Sequence, residues 1–184
     1  MEKGYLPEGY EVPKNDGDYM KFKAGDNKFR ILSPVVMGWE YWTEAKKPVR
    51  SKEIFKFVPA DADLKRGWPA KHFWAFVVWN FETKKIEILE ITQVTIQTAL
   101  QSLIQNEDWG DPREYSITVN RTGEKMETKY AVLPSPAKPV PAEILQAFQE
   151  KPVNLEALFT DGNLFEEAPA ATHNSDTETV GPGF

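Results

Sequence analysis

A single helix-like segment between strand-like segments most constrains how this 184-residue chain can fold. Within 93–106, apolar side chains recur at helical spacing and glutamines form the opposite, polar stripe. The apolar members are Ile96, Leu100, Leu103 and Ile104. We expect Thr92 to cap this helix. Alternation of polar and apolar residues, with aromatic and β-branched enrichment, predicts five strands. They are 28–42, 72–80, 84–91, 115–121 and 128–133.

Five strands with one helix between the third and fourth is the order of an OB-fold, a five-stranded barrel. The sequence therefore predicts a mainly β domain over 19–159, with a long loop at 43–71 between the first two strands. We expect Pro34 to break the first strand. Residues 1–18 are rich in Gly and Pro and predict an irregular arm. Residues 160–184 predict a flexible acidic tail, because they cannot bury enough surface to become ordered.

Aromatic rings and cations concentrate in the same part of the chain. Residues 19–81 hold 14 of the 23 aromatic residues, and residues 21–85 hold 14 lysines and arginines against seven acids. Such a surface suits single-stranded nucleic acid, because each nucleotide has a base that can stack and a phosphate. An OB-fold binds oligonucleotides on its second and third strands and on the loops that join strands 1–2 and 4–5. Here those segments are 72–91, 43–71 and 122–127.

Alternation along the strand 72–80 places aromatic rings on both of its faces, although a barrel buries only one face. Trp74 and Phe76 share one face, and Phe73 and Trp79 share the other. Either row fits a solvent-facing position, so both are retained. The candidate stacking residues are Trp39, Tyr41, Trp74 and Trp79. The candidate phosphate contacts are Arg30, Lys47, Arg50, Lys52, Lys71 and Lys84. Arg50 is preferred because a planar guanidinium can bond phosphate bidentately or stack on a base.

The negative charge of the chain lies at its C-terminal end. The net charge is −6, yet all 22 lysines and arginines precede residue 152, and the last 32 residues hold six acids and no base. This change favours a detachable polyanion that competes with DNA for a basic groove. The final Gly181-Pro182-Gly183-Phe184 ends in a ring and a carboxylate, which suit a basic, apolar pocket on another protein. The candidate partner-binding residues are Asp176, Glu178 and Phe184.

The sequence gives little support for a catalytic or metal-binding site. There is no cysteine, the two histidines are His72 in a predicted strand and His173 in the tail, and no Gly-rich phosphate loop occurs. We therefore expect no enzymatic activity and no cofactor. Two alternatives stay open: a Trp-rich carbohydrate-binding module, and a metal-dependent nuclease that uses Asp61 and Asp63. Neither a secretion signal nor a membrane-spanning apolar run is visible.

A series of short motifs runs through the predicted domain. They are Phe22-Lys23-Ala24-Gly25-Asp26-Asn27-Lys28-Phe29-Arg30-Ile31-Leu32-Ser33, Gly38-Trp39-Glu40-Tyr41-Trp42, Lys47-Pro48-Val49-Arg50, Val78-Trp79-Asn80, Leu89-Glu90-Ile91-Thr92-Gln93, Trp109-Gly110-Asp111-Pro112 and Tyr130. Together, over roughly 19–141, they resemble the single-stranded DNA-binding proteins of tailed bacteriophages. The resemblance implies an OB-fold that coats single-stranded DNA with little sequence preference during DNA replication, recombination and repair.

The same resemblance implies a location and a set of partners. The location is the cytoplasm of the infected bacterial host. The partners are replication or recombination proteins, recruited by an acidic tail that ends in an aromatic residue. This tail departs from that pattern, because its acids are sparse and Gly-Pro-Gly-Phe replaces a dense acidic run.

Overall fold

The computed structural model describes residues 18–165, and within them seven strands form one antiparallel sheet. The strands are β1 (Gly25–Ile31), β2 (Val36–Trp42), β3 (Pro48–Ser51), β4 (Lys71–Asn80), β5 (Lys85–Ile91), β6 (Ser116–Thr122) and β7 (Lys129–Pro134). The helices are α1 (Val94–Gln105) and α2 (Ala142–Glu150), with 3-10 turns at Pro112–Glu114, Lys125–Glu127 and Leu155–Phe159. The predicted mainly β class is confirmed, and the predicted elements lie within three residues of their observed bounds.

Strand β4 is the centre of the sheet because it pairs along both of its edges. β5 accompanies one edge over seven residue pairs. The other edge pairs with β2 over Lys71–Ala75 and with β1 over Val78–Asn80. Between β1 and β2 lies Pro34, and the Ser33 hydroxyl accepts a hydrogen bond from the Val77 N–H at 2.9 Å. The predicted first strand is therefore two strands that share one neighbour.

The sheet does not close into the predicted five-stranded barrel. Closure would need a ladder between β5 and β7, and the described part of the chain has none. Helix α1 bridges these two edges instead, because its Ile96 and Leu100 are buried with Leu89 of β5, and Tyr130 of β7 packs against the same core. The loop 43–71 adds the short strand β3, which is too brief for alternation to reveal.

Two hydrophobic cores lie on opposite faces of β4. Phe76 points to the first core, which α1 and β6 cover. Phe73 and Trp79 point to the second, which α2 and the last 3-10 turn cover. Gly38 of β2 permits this second cover, because a Cβ there would lie only 2.8 Å from Phe159 Cε1. The central strand β4 therefore has a packed hydrophobic layer on each of its faces.

Helix α1 differs from its sequence prediction in two details. Thr92 does not cap it; the residue at the start is Gln93, whose side chain makes no capping bond. Gln97, assigned by spacing to the polar stripe, is buried, and its amide donates to the carbonyl oxygens of His72 (3.1 Å) and Ile91 (2.9 Å). This side chain ties β4 to the end of β5. Neither helix within 18–165 is long and apolar enough to cross a bilayer.

The domain continues past its predicted end at residue 159. Leu164 and Phe165 are half-buried against the second core, and the Asn154 N–H donates to the Leu164 carbonyl at 2.6 Å. Residues 1–17 and 166–184, which contain almost all of the predicted arm and the rest of the predicted tail, lie outside the described residues.

Candidate nucleic-acid interface

The ten predicted contact residues fall into three groups rather than one surface. Arg30, Tyr41, Arg50 and Trp79 are largely enclosed by protein. Trp39 and Trp74 are half-buried. Lys47, Lys52, Lys71 and Lys84 are exposed.

Arg30 holds the fold together instead of facing solvent. The residue is 2 % exposed. Its Nε donates to the Arg113 carbonyl and its Nη2 to the Lys138 carbonyl, each at 2.8 Å. These bonds join β1 to the turn before β6 and to the proline-rich segment after β7. Because both donors are used and buried, we leave Arg30 out of the candidate interface.

Trp79 and Tyr41 are also enclosed. Trp79 is 6 % exposed and belongs to the second core. The Tyr41 hydroxyl donates to Asp61 Oδ1 at 3.0 Å, and its ring lies edge-on to Phe55 and Trp68 at centroid distances of 5.0 and 6.3 Å. Burial and this hydrogen bond raise the pKa of Tyr41. Neither ring can stack on a base without rearrangement, so both are left out.

Arg50 lies between two carboxylates. Its Nη2 is 2.7 Å from Glu90 Oε2, its Nε is 3.3 Å from Glu40 Oε2, and its guanidinium lies over the Phe73 ring at 5.8 Å. One guanidinium can neutralise only one of the two acids. Burial, and then the neighbouring Glu90, raise the pKa of Glu40 to about 8. The preferred phosphate contact is therefore part of a buried charge cluster.

Trp39, His72 and Trp74 form a solvent-facing aromatic group, which we call the aromatic platform. Trp39 lies directly opposite His72 across β2 and β4, with ring centroids 5.0 Å apart. Trp74 Nε1 donates to His72 Nε2 at 3.3 Å. Met37, opposite Trp74, is 49 % exposed, so solvent reaches this face of the sheet. Directly opposite residues share a face, and the platform is thus a continuous strip across two strands.

The 52–70 loop borders the platform on the side of Tyr41. Phe55 and Trp68 of this loop pack on Tyr41, which follows Trp39 on the same face of β2. Large apolar side chains of the loop nevertheless face solvent, including Phe57, which is 83 % exposed. The others are Ile54, Val58 and Leu64. An exposed phenylalanine beside lysines is a second place where a base could stack.

Two exposed cations lie at the same end of the platform strands, where β2 ends and β4 begins. Lys47 is in the turn between β2 and β3, and Lys71 begins β4. Both are exposed and make no ion pair with the described residues. Lys52 pairs with Glu156 at 2.6 Å, but both side chains are about 60 % exposed, and such a pair is weak enough to exchange for a phosphate. Lys84 lies in the β4–β5 turn, roughly 30 Å along the strand from Lys71.

The two acids proposed for a nuclease have structural partners. Asp61 accepts the Tyr41 hydroxyl, and Asp63 Oδ1 accepts the N–H groups of Lys65 (3.0 Å) and Arg66 (3.3 Å). Among residues 18–165 no group of three or more His, Cys, Asp or Glu is arranged to hold a metal ion. The geometry gives the nuclease alternative no supporting observation.

The main groove of the described domain is poor in positive charge. Its volume is about 770 Å³. Four glutamates and three cations contribute to its wall, namely Glu40, Glu82, Glu87, Glu90, Lys21, Lys23 and Arg50. Because the raised pKa of Glu40 keeps it largely protonated at neutral pH, three ionised glutamates offset the three cations, and this wall has no excess of positive charge for a phosphate. The platform is therefore the better candidate for a polyanion that also stacks.

Sequence reasoning missed His72 and Phe57 as interface residues. His72 was considered only as a catalytic or metal-binding group, although its place in an aromatic strand opposite Trp39 signals a stacking role once the register is known. Phe57 lies in a segment without periodicity, so nothing in the sequence distinguishes its exposed ring from the half-buried Phe55. The predicted tail residues Asp176, Glu178 and Phe184 lie outside the described residues.

A comparison of sequences finds a similarity to a phage protein. The chain is 24 % identical over 140 residues to a protein of Escherichia phage T5 described as a probable ssDNA-binding protein. The match covers 62 % of this chain and 54 % of that relative, so the chain spans about half of the relative's length. No family model and no solved structure matches the chain.

Proposed function

We propose that this protein binds single-stranded DNA, with bases stacked on the aromatic platform and phosphates held by neighbouring lysines. The observation that carries the proposal is the partly exposed pair of indoles, Trp39 and Trp74, on a sheet face that solvent reaches. Stacking on aromatic side chains contributes about 1–3 kcal/mol per base and tolerates any sequence. The similarity to the phage T5 protein supports the same ligand.

In this proposal the strand runs from the platform towards the 52–70 loop. Trp39 and Trp74 stack bases, Phe57 offers a further ring, and Lys47 contacts a phosphate at the loop end. Lys71 points to the opposite face but begins β4, so its long side chain contacts a phosphate where the DNA passes the end of the strand. Arg30 and Arg50 act through the fold that supports this surface.

The finer parts of the proposal extend the resemblance to tailed-phage proteins. The protein acts without catalysis, coats single-stranded intermediates of phage DNA replication, recombination and repair, and works in the cytoplasm of the infected host. An OB-like arrangement, opened between β5 and β7, displays the binding face. The acidic tail competes with DNA and recruits replication or recombination proteins. Deleting 166–184 should then strengthen DNA binding; an equal or lower affinity would contradict the competitor role.

A fluorescence titration tests the ligand. Oligo(dT) is added at several salt concentrations while tryptophan emission is followed. We expect quenching and an affinity that falls with salt, with a log–log slope of about −0.7 for each phosphate neutralised. A panel of glycans serves as the parallel arm, because sugars also stack on rings. A slope near zero, or quenching by a glycan and not by oligo(dT), would contradict the proposal and favour the carbohydrate-binding alternative.

A further inference from the structure

His72 lies at the centre of the platform and contacts both of its neighbours. Its Nδ1 is 2.8 Å from the Gly38 carbonyl oxygen, and its Nε2 is 3.3 Å from Trp74 Nε1. Its ring lies against Trp39 at a 47° tilt. One imidazole thus connects the backbone of β2 to the position of an indole on β4.

These two contacts determine the protonation state of the ring. A carbonyl oxygen only accepts, so Nδ1 must carry a proton. An indole N–H only donates, so Nε2 must be unprotonated. Both contacts are satisfied only by the neutral Nδ1–H tautomer. A second proton on Nε2 would set two donors against each other and remove the bond to Trp74.

The backbone of His72 is itself anchored. The buried Gln97 amide donates to the His72 carbonyl at 3.1 Å, and the ladder with Trp39 fixes the register. The imidazole therefore cannot follow Trp74 if the indole moves. Packing on Phe76 and the first core holds one side of the Trp74 indole, and the bond to His72 fixes the direction of its N–H.

Few ionisable side chains lie on the side of the sheet that His72 faces. Helix α1, which holds the His72 carbonyl, contains no ionisable side chain between its first and last residues. On the same face, the Tyr41 hydroxyl and Asp61 form a hydrogen-bonded pair at the loop end of β2. Glu87 and Lys85 of β5 also share this face, but they lie opposite Val78 and Asn80, six and eight residues along β4 from His72. In the rows close to His72, the ionisable side chains of the neighbouring strands point to the other face. They are Glu40, Arg50, Lys71 and Glu90.

We propose that His72 is a positioning residue for the DNA interface: its unprotonated Nε2 holds the Trp74 indole in the stacking orientation, and protonation releases it. The consequence for DNA rests on the proposed function, whereas the hydrogen bond itself does not. Histidine is the side chain that changes charge between pH 5 and 8. The neutral imidazole keeps the bond to Trp74, and the imidazolium loses it.

Two substitutions of His72 distinguish the contact made by Nε2 from the contact made by Nδ1. In His72→Gln the side-chain oxygen reaches the position of Nε2 and can still accept from Trp74, with no titration. In His72→Asn the amide reaches only the position of Nδ1, so it keeps the bond to Gly38 and loses Trp74. Thermal unfolding of both variants checks that the fold is retained, and the pH titration of the unaltered protein needs no variant.

The direct readout is the indole N–H resonance of Trp74 in DNA-free protein, assigned with Trp74→Phe. From pH 8.0 to pH 5.5 we expect this signal to move in the unaltered protein and to stay fixed in His72→Gln. In His72→Asn it should be displaced at every pH. A Trp74 signal that is insensitive to pH and equal in all three proteins would overturn the proposal.

The second readout is oligo(dT) affinity at pH 8.0. His72→Asn should bind about fivefold more weakly than His72→Gln, because only the Asn variant loses the bond that orients the Trp74 ring. Equal affinities for the two variants would overturn the positioning role. Failure of the proposed function gives a different result: Trp39→Ala and Trp74→Ala would leave oligo(dT) affinity unchanged while the indole signal still depended on His72.

Discussion

A tryptophan lies near each end of β4, and the two tryptophans differ in exposure to solvent. Trp79, near the end of the strand, is sealed in the second core, whereas Trp74, near its start, is partly exposed. The difference lies in what covers each face. α2 and the last 3-10 turn cover the row of Trp79. The row of Trp74 faces the first core, but Trp74 is only partly buried against that core, and Met37 opposite it is 49 % exposed. Identical side chains serve the core or the surface according to their neighbours.

The largest expected effect is a loss of stability when the buried Trp79 is removed. Trp79→Ala should lower the free energy of unfolding by about 3–5 kcal/mol, because it leaves a cavity in a packed core. Trp74→Ala is the matched control and should cost clearly less, since part of its ring already faces solvent. Denaturant unfolding measures both. Equal losses would show that the two ends of β4 do not differ as described.

The second prediction addresses the exposed end. Trp39→Ala and Trp74→Ala should each weaken oligo(dT) binding about tenfold, within the range of one stacked base. The double variant should lose more than either single variant. Affinity is measured by anisotropy of labelled oligo(dT) at fixed salt. Folded Trp79→Phe provides the control, and an equal loss of affinity in that variant would place the binding surface elsewhere.

The third prediction concerns cations at the two ends of the strand. Replacing Lys47 and Lys71 with Gln should make the salt slope of DNA binding less negative by about 0.7 for each lysine. Lys84→Gln, at the other end of β4, should leave the slope unchanged. Titrations at four or more salt concentrations give the slopes. A Lys84 effect as large as that of Lys71 would extend the interface along the whole strand.

The last prediction concerns the pH dependence of the charge cluster on the opposite face. Burial raises the pKa of Glu40 from 4.5 to about 8, so the folded state holds a proton that the unfolded state has lost within that range. Stability should therefore fall as pH rises from about 4.5 to about 8, and Glu40→Gln should remove that part of the fall. Chemical unfolding at several pH values measures it, with exposed Glu53→Gln as control. An unchanged pH dependence in Glu40→Gln would contradict this account.

Local patterns in the sequence were sufficient for the order of the longer strands and of α1, but not for the short strand β3. Alternation located strands such as 84–91, and helical spacing located α1, because both signals are carried by near neighbours along the chain. Barrel closure was not predictable in this way. It depends on whether the edges of β5 and β7 meet, and Tyr130 packs on the core shared with α1 instead of extending a ladder to β5.

The candidate site could be predicted in composition but not in detail. The sequence identified Trp39 and Trp74, yet it ranked Arg50 as the best phosphate contact. Arg50 turned out to face Glu40 and Glu90, which are 10 and 40 residues away along the chain. Such pairings follow from strand register, which no single segment specifies.

The most direct test of the central claim follows the tryptophans individually when DNA binds. The protein is labelled with 5-fluorotryptophan, its six fluorine signals are assigned by Trp→Phe substitution, and oligo(dT) is added. The account predicts that the signals of Trp39 and Trp74 move and that the signal of Trp79 stays in place. Unmoved Trp39 and Trp74 signals in a saturated complex would contradict it.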